Sequence, residues 1–246
     1  MLIDQTHAES LITVGIDVGG TKKGYHAAAL KGGKSYLNPF WSTSVSDVVN
    51  WCRHEAKASA IAIDAPSAWS LDGRARPAER LLMHKKIWCF ATPDRLTALS
   101  HPRKHFGWML QGERLIRALK NTHPLIRDPQ VRPSVSYCFE TFPHAIACCF
   151  SNQVLSARNK RGDRRDLLED QQITGLEKAG IDFVDAALCA FTAYWFASDQ
   201  PTQAFGEPST GFIIVPVKKG GGCPKIHGLK CSHAPIVPFR KHRPAH

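Results

Sequence analysis

The stretch "ITVGIDVGGTKKG", residues 12 to 24, decides how the chain is read. Apolar and β-branched residues fill its first half and a Gly pair ends it, so residues 12–18 predict a buried strand. One acid, Asp17, falls near the end of that strand. A carboxylate on a core strand is costly to bury unless something cationic meets it. The question is what the rest of the chain brings to Asp17.

Working outward, "GYHAAALK" (24–31) and "KSYLNPFW" (34–41) are separated by Gly32-Gly33, a hairpin signal, so the first three strands predict an antiparallel meander. Ser44 or Ser46 suits the cap of a helix reaching about residue 58, with Val45, Val48, Val49 and Cys52 on one face. "AIAID" (60–64) predicts a short strand stopped at Ala65-Pro66. Residues 67–132 are rich in Arg, His and Pro, with helical patches near 76–87 and 109–120, and predict an insertion outside the sheet. "SVSYCFETF" (134–142) predicts a fifth strand, and Pro143 suits the first turn of a following helix. A second helical piece capped by Asp163 and an apolar helix over 181–197 come next. "GFIIVPV" (211–217) predicts a late edge strand, because Pro216 cannot donate to a ladder. The pattern is one α/β domain over 1–217 with an insertion at about 67–132. The segment 218–246 reads as a basic, disordered or loosely attached tail.

Composition narrows the class. The chain has 246 residues, 43% of them hydrophobic, which fits a globular protein. No apolar run is long enough to span a bilayer, and the N-terminus lacks the basic start of a signal peptide, so a soluble, cytoplasmic protein with no membrane partner is expected. The eight cysteines read as reduced core residues rather than a disulfide framework. The formal net charge is +11, with 13 basic and 4 acidic side chains in residues 74–132 and 7 basic and no acidic ones in residues 218–246. That sign favours a polyanion, nucleic acid first, although plain solubility accounts for it too. No protein partner is indicated.

Several acids fall on apolar elements: Asp17, Asp64 and Glu140 on strands, and Asp182 and Asp185 three apart on one face of the late helix. If the first and fourth strands are parallel neighbours, Asp17 and Asp64 share one edge, and a helix across that edge brings Asp185 to them. Carboxylates gathered with no buried Lys or Arg to match suit a hard divalent cation. Each acid also has a plainer reading. Asp182 suits a helix N-cap, Asp64 a turn before Ala65-Pro66, Asp17 a loop cap, and Glu140 an ion pair with an arginine of residues 158–165.

The segments "GIDVGGTKKGYHAAAL", "AIDAPS", "CFETFPHA", "KRGDRRDLLE", "DFVDAALCAFTA" and "GFIIVPV" together resemble, over about residues 12 to 217, an uncharacterised family called domain of unknown function 429. That family is regarded as RNase H-like in fold and as nuclease-like. The late "DFVDAALCAF" is similar to the closing motif of Holliday-junction resolvases of the same superfamily. The resemblance implies a mixed five-stranded sheet with flanking helices. It also implies a metal-dependent nuclease acting through two ions, Mg2+ or Mn2+, with Asp17 as the bridging ligand. By resemblance Asp17, Asp64 and Asp185 are the metal-site acids, with Glu140 as a further catalytic acid and Asp182 as a supporting ligand.

The residues add candidate phosphate contacts, Lys160, Arg164 and Arg165, whose plainer reading is a solvated helix face. His144 is a candidate proton shuttle. Trp69, Trp88, Phe90, Phe106 and Trp108 are candidates either to stack on bases or to form the insertion's own core. A non-catalytic nucleic-acid or protein adaptor on the same fold is the second functional reading. A third is an ATP-dependent phosphotransferase of the actin-like superfamily, because "GIDVGGTK" resembles the first phosphate loop of sugar kinases. Against it, "IAIDAPS" lacks the glycines of a second phosphate loop, and two lobes hardly fit in this length. Cys223, His227, Cys231 and His233 have ligand types for Zn2+ but no common finger spacing, and a plain basic tail is favoured.

Overall fold

The computed structural model of the chain describes residues 9–36 and 39–224. Eight strands form one mixed sheet: β1 (Ile12–Val18), β2 (Tyr25–Lys31), β3 (Ser35–Tyr36), β4 (Phe40–Ser42), β5 (Ala60–Asp64), β6 (Tyr137–Glu140), β7 (Thr202–Glu207) and β8 (Gly211–Pro216). The order across the sheet is β3-β2-β1-β5-β6-β8-β7, with β4 also paired to β2. β1, β5, β6 and β8 run parallel, while the hairpins β1–β2 and β7–β8 are antiparallel. The helices are α1 (Val45–Asn50), α2 (Pro77–His84), α3 (Arg95–Ser100), α4 (Gly107–Leu119), α5 (Pro143–Ser151), α6 (Lys160–Asp170) and α7 (Ile181–Ala197). α1 continues as a π turn over Trp51–Glu55.

The two-residue period of the strands explains the layers. Val14, Ile16 and Val18 of β1, with Ile61 and Ile63 of β5, pack on Val48 and Trp51 of the first helical stretch and on Leu115 and Leu119 of α4. The alternate residues Ala28, Leu30, Ala60, Ala62, Tyr137 and Phe139 pack instead with α5, α6 and α7. β1 contributes its smallest residue to that second face. A Cβ on Gly15 would lie 2.0 Å from the Ala186 carbonyl oxygen and 2.1 Å from the Ala190 amide nitrogen, so only glycine lets α7 lie this close. Thr13 fixes the contact, its hydroxyl donating to the Ala190 carbonyl at 3.0 Å.

Local signals account for several boundaries. Ser44 caps α1, accepting from the Asp47 amide, and Pro143 opens α5. Residues 65–136 supply α2, α3 and α4 and no named strand, touching the sheet ladder only through a bridge from Leu125 to Cys138.

Other readings are corrected. Among the described residues the sheet has eight strands, not five. The segment 34–41 divides into β3 and β4. β7 is an additional strand carrying few apolar residues, so its composition hides it; it takes the edge, and β8 lies inside between β6 and β7. Pro216 is tolerated there because the β6–β8 pairing is confined to Glu140 and Ile213. α6 begins at Lys160 with Asn159 as cap, and Asp163 accepts from the Asn159 side-chain Nδ2 within the first turn. The chain packs beyond Lys218 as far as Cys223, which is buried and disulfide-bonded to Cys149. This corrects the reading of the cysteines as all reduced: Cys223 comes from a Gly/Pro-rich stretch whose path no periodicity reveals. Of the zinc candidates, His227, Cys231 and His233 lie outside the described residues. No helix among the described residues is long and apolar enough to cross a membrane.

Candidate metal centre

Strand register builds the site. Asp17 and Asp64 are direct partners at the C-terminal ends of β1 and β5. Both follow the parity of the alanines that face α7, so both carboxyls stand on the α7 side of the sheet. α7 runs antiparallel to β1. Asp17 lies about 7 Å beyond Gly15 along the strand, and Asp182 lies about 6 Å back from Ala186 along the helix, which brings the two acids level. The hairpin adds His26, which opposes Asp17 in the β1–β2 register.

One oxygen each of Asp17 and Asp182 and a ring nitrogen of His26 lie within 4.8 Å of one another, a set that could hold a metal ion. Lys23 lies against this cluster, its ammonium 3.1 Å from Asp17 and 2.9 Å from Asp182. The loop that presents it closes on itself, the Gly19 amide donating to the Gly24 carbonyl and the Gly24 amide to Gly20. Gly24 has φ +71°, and a Cβ there would meet the Ser42 carbonyl oxygen at 2.5 Å. The Trp41 indole donates to the Lys23 carbonyl and fixes the loop from the β4 side.

The acids differ in how far they are satisfied. Burial pushes the Asp17 carboxyl up and Lys23 pulls it part of the way back. Burial works against the Lys23 ammonium, but Asp17 and Asp182 outweigh it and leave its pKa raised. Burial raises Asp185 to about 6 even though Arg164 donates to it directly. Asp64 has no hydrogen-bond or ion-pair partner among the described residues. Burial first, then the charges of Asp17 and Asp185, hold its carboxyl well above the usual range. His26 is held neutral, its pKa lowered mainly by burial, and its Nδ1 is buried without a hydrogen-bond partner. A neutral imidazole with an unused nitrogen is a competent metal ligand.

Asp17, Asp64, Asp182 and Asp185 are thus gathered at one end of the sheet. The reading of Asp182 as an N-cap is corrected: Gly180 takes that position and Asp182 sits in the first turn. The idea of carboxylates with no matching buried cation is also corrected, since Arg164 is buried against Asp185. Glu140 is not brought to the cluster. It has the parity of Cys138, on the opposite face from Tyr137 and Phe139. There it accepts from Arg76 at 2.6 and 3.0 Å and from the Ser67 amide and hydroxyl at 2.7 Å each. The arginine is Arg76, not one of residues 158–165.

Arg165 is occupied locally, 3.7 Å from Glu169 and donating to the Glu177 carbonyl, whereas Lys160 is exposed. His144 has its pKa lowered by burial and by Arg164 and Lys160, and its Nε2 lies 3.8 Å from the Cys148 sulfur. The sequence reading missed Lys23 and His26. Counting the hairpin register back from the 19–24 loop would have placed His26 opposite Asp17; nothing local marks Lys23 apart from Lys22.

The fold and site together define an α/β protein with an acidic, His-containing cluster that could hold a metal ion, beside the C-terminal ends of two parallel strands. The chain belongs to the family described as "Protein of unknown function (DUF429)", whose model matches residues 15–210. No curated protein and no solved structure matches the chain.

Proposed function

We propose that the protein is a divalent-metal-dependent nuclease of RNase H-like fold, hydrolysing nucleic-acid phosphodiester bonds with Mg2+ or Mn2+. The observation that carries this reading is Asp64, a carboxyl beside Asp17 and Asp185 with no direct hydrogen bond or ion pair among the described residues, opposed only by Arg164 from beyond ion-pair distance. Such a group costs folding free energy unless a ligand offsets it. The β-β-β-α-β order, with β1 and β5 adjacent and parallel, supports the fold assignment.

Asp17, His26 and Asp182, whose ligand atoms lie within 4.8 Å of one another, would hold the ion, with Asp64 and Asp185 beside them as further ligands. Carboxylate oxygens suit Mg2+, and the imidazole widens the choice to Mn2+. A bound ion would lower the pKa of a water and offset charge on the phosphate. Arg164 orients Asp185. Lys23, with a half-exposed side chain, can leave the acids to an ion and turn its charge to the phosphate. Lys160, and Arg165 if released, would contact the strand backbone of DNA or RNA, and the net charge of +11 favours that encounter.

One observation favours the second reading, a non-catalytic adaptor: Lys23 already bridges Asp17 and Asp182 and offsets part of their charge. A panel of single- and double-stranded substrates with Mg2+, Mn2+ or EDTA separates the two. Cleavage should require the metal and fall more than about 100-fold in Asp17→Asn and in Asp64→Asn. Metal-dependent cleavage unchanged in both variants would overturn the assignment, and nucleic-acid binding indifferent to EDTA and to both substitutions, without cleavage, would establish the adaptor.

A further inference from the structure

A cleft of about 200 Å³ opens beside Asp64, between the ends of the central strands and the helices of residues 65–136. Phe90, Trp108 and Phe142 supply its aromatic lining, and Asp64 and Pro66 lie at the sheet end. Its size is below the ~300–1,000 Å³ of drug-sized ligand sites, enough for one flat ring system and too small for a duplex. Phe90 is 65% exposed, set edge-on to Trp108 at 6.4 Å and to His105 at 5.9 Å. The neighbouring Trp88 is 68% exposed. Large rings left in water at the mouth of a cleft call for a partner.

The polar groups of the cleft say what that partner is not. Arg76 is saturated by Glu79 and Glu140, and Glu79 also takes the Thr92 amide and hydroxyl. One guanidinium against Glu79 and Glu140 leaves the cleft negative, so a phosphate is repelled from it. With the two glutamates engaged, it offers aromatic faces rather than a set of open hydrogen-bonding groups. Asp64 faces both this cleft and the metal-site acids.

We propose that the cleft receives a single unpaired nucleobase next to the phosphate held at the acids, so that the substrate is single-stranded or locally splayed nucleic acid. This rests on the nuclease reading for the position of the phosphate. The base stacks on Phe90 and Trp108 and is selected by shape, which gives little sequence preference, because every base presents a π-face.

The test is binding in EDTA, where the strand stays intact, read by anisotropy of a labelled single-stranded oligonucleotide, its duplex, and the same strand with a run of abasic sites. The wild type should bind the single strand at least about ten-fold more tightly than the duplex or the abasic strand, and Phe90→Ala should lose most of that difference. Phe90 is exposed, so the variant should fold with unchanged Tm; Phe90→Trp should restore the preference. Equal affinity for the three ligands, or a preference unchanged in Phe90→Ala, would overturn the proposal. Cleavage with Mg2+ is scored separately. Preference without cleavage would refute the nuclease while keeping the cleft, and carboxylate-dependent cleavage indifferent to Phe90 would do the reverse.

Discussion

Gly15→Ala tests how the acids are assembled without touching any of them. The new Cβ would stand 2.0 Å from the Ala186 carbonyl oxygen, so roughly 1.4 Å of separation is needed to reach ordinary contact at 3.4 Å. The groups in the way are the backbone of α7 and the Cys189 Cβ, which cannot swing aside. Overpacking of this kind costs about 1–3 kcal/mol. Lifting α7 off β1 also strains the buried bond from Thr13 to Ala190, worth about 1 kcal/mol. A loss of about 2–4 kcal/mol corresponds to a Tm lower by roughly 5–15 °C for a chain of this size. The same wedge separates Asp182 and Asp185 from Asp17, so any Tm gain on adding Mn2+ should shrink too. Calorimetry with and without Mn2+ reads both effects, and Gly20→Ala is the control, since its Cβ would meet nothing within 4 Å. If Gly15→Ala unfolds within about 1 °C of the wild type, the close approach of α7 to β1, and the alignment of acids that depends on it, is wrong.

The pH dependence of stability in EDTA should carry the signature of Asp185. Its folded pKa of about 6 lies above the ordinary 3.8, so its charge opposes folding, and stability falls as pH rises from about 4 through 6. A rise of that size corresponds to about 3 kcal/mol. Denaturant titrations of the wild type and Asp185→Asn should therefore diverge by up to about that amount across the window; parallel curves would refute the raised pKa. The disulfide between Cys149 and Cys223 closes 74 residues of sequence separation, for which chain entropy gives a stabilisation of about 4.5 kcal/mol at most. Cys223→Ser should lower Tm by up to roughly 15 °C and make it insensitive to reductant. Peptide mapping without reductant that finds Cys149 as a free thiol would dispose of the bond.

The sequence by itself determined what local chemistry controls. The alternation of β1 and β5, the cap at Ser44, the opening of α5 at Pro143 and the apolar length of α7 were all legible, because each depends on neighbours a few residues away. The parallel pairing of β1 with β5 entered the sequence reading as a condition; the sheet meets it, and with it Asp17 and Asp64 become partners. Tertiary structure alone decided which charges meet across long separations. Arg76 with Glu140, 64 residues apart, and Arg164 with Asp185 have no local signature, because long side chains pair wherever burial makes an unpaired charge too costly. The parity that turns Glu140 away from the other acids depends on which helices cover each face, and β7 gains its strand from β8 rather than from its own composition. Asp64 shows the division most clearly. Its place at the end of a strand was written in "AIDAP"; its lack of a direct hydrogen bond or ion pair among the described residues was decided only when the sheet, α6 and α7 closed around it.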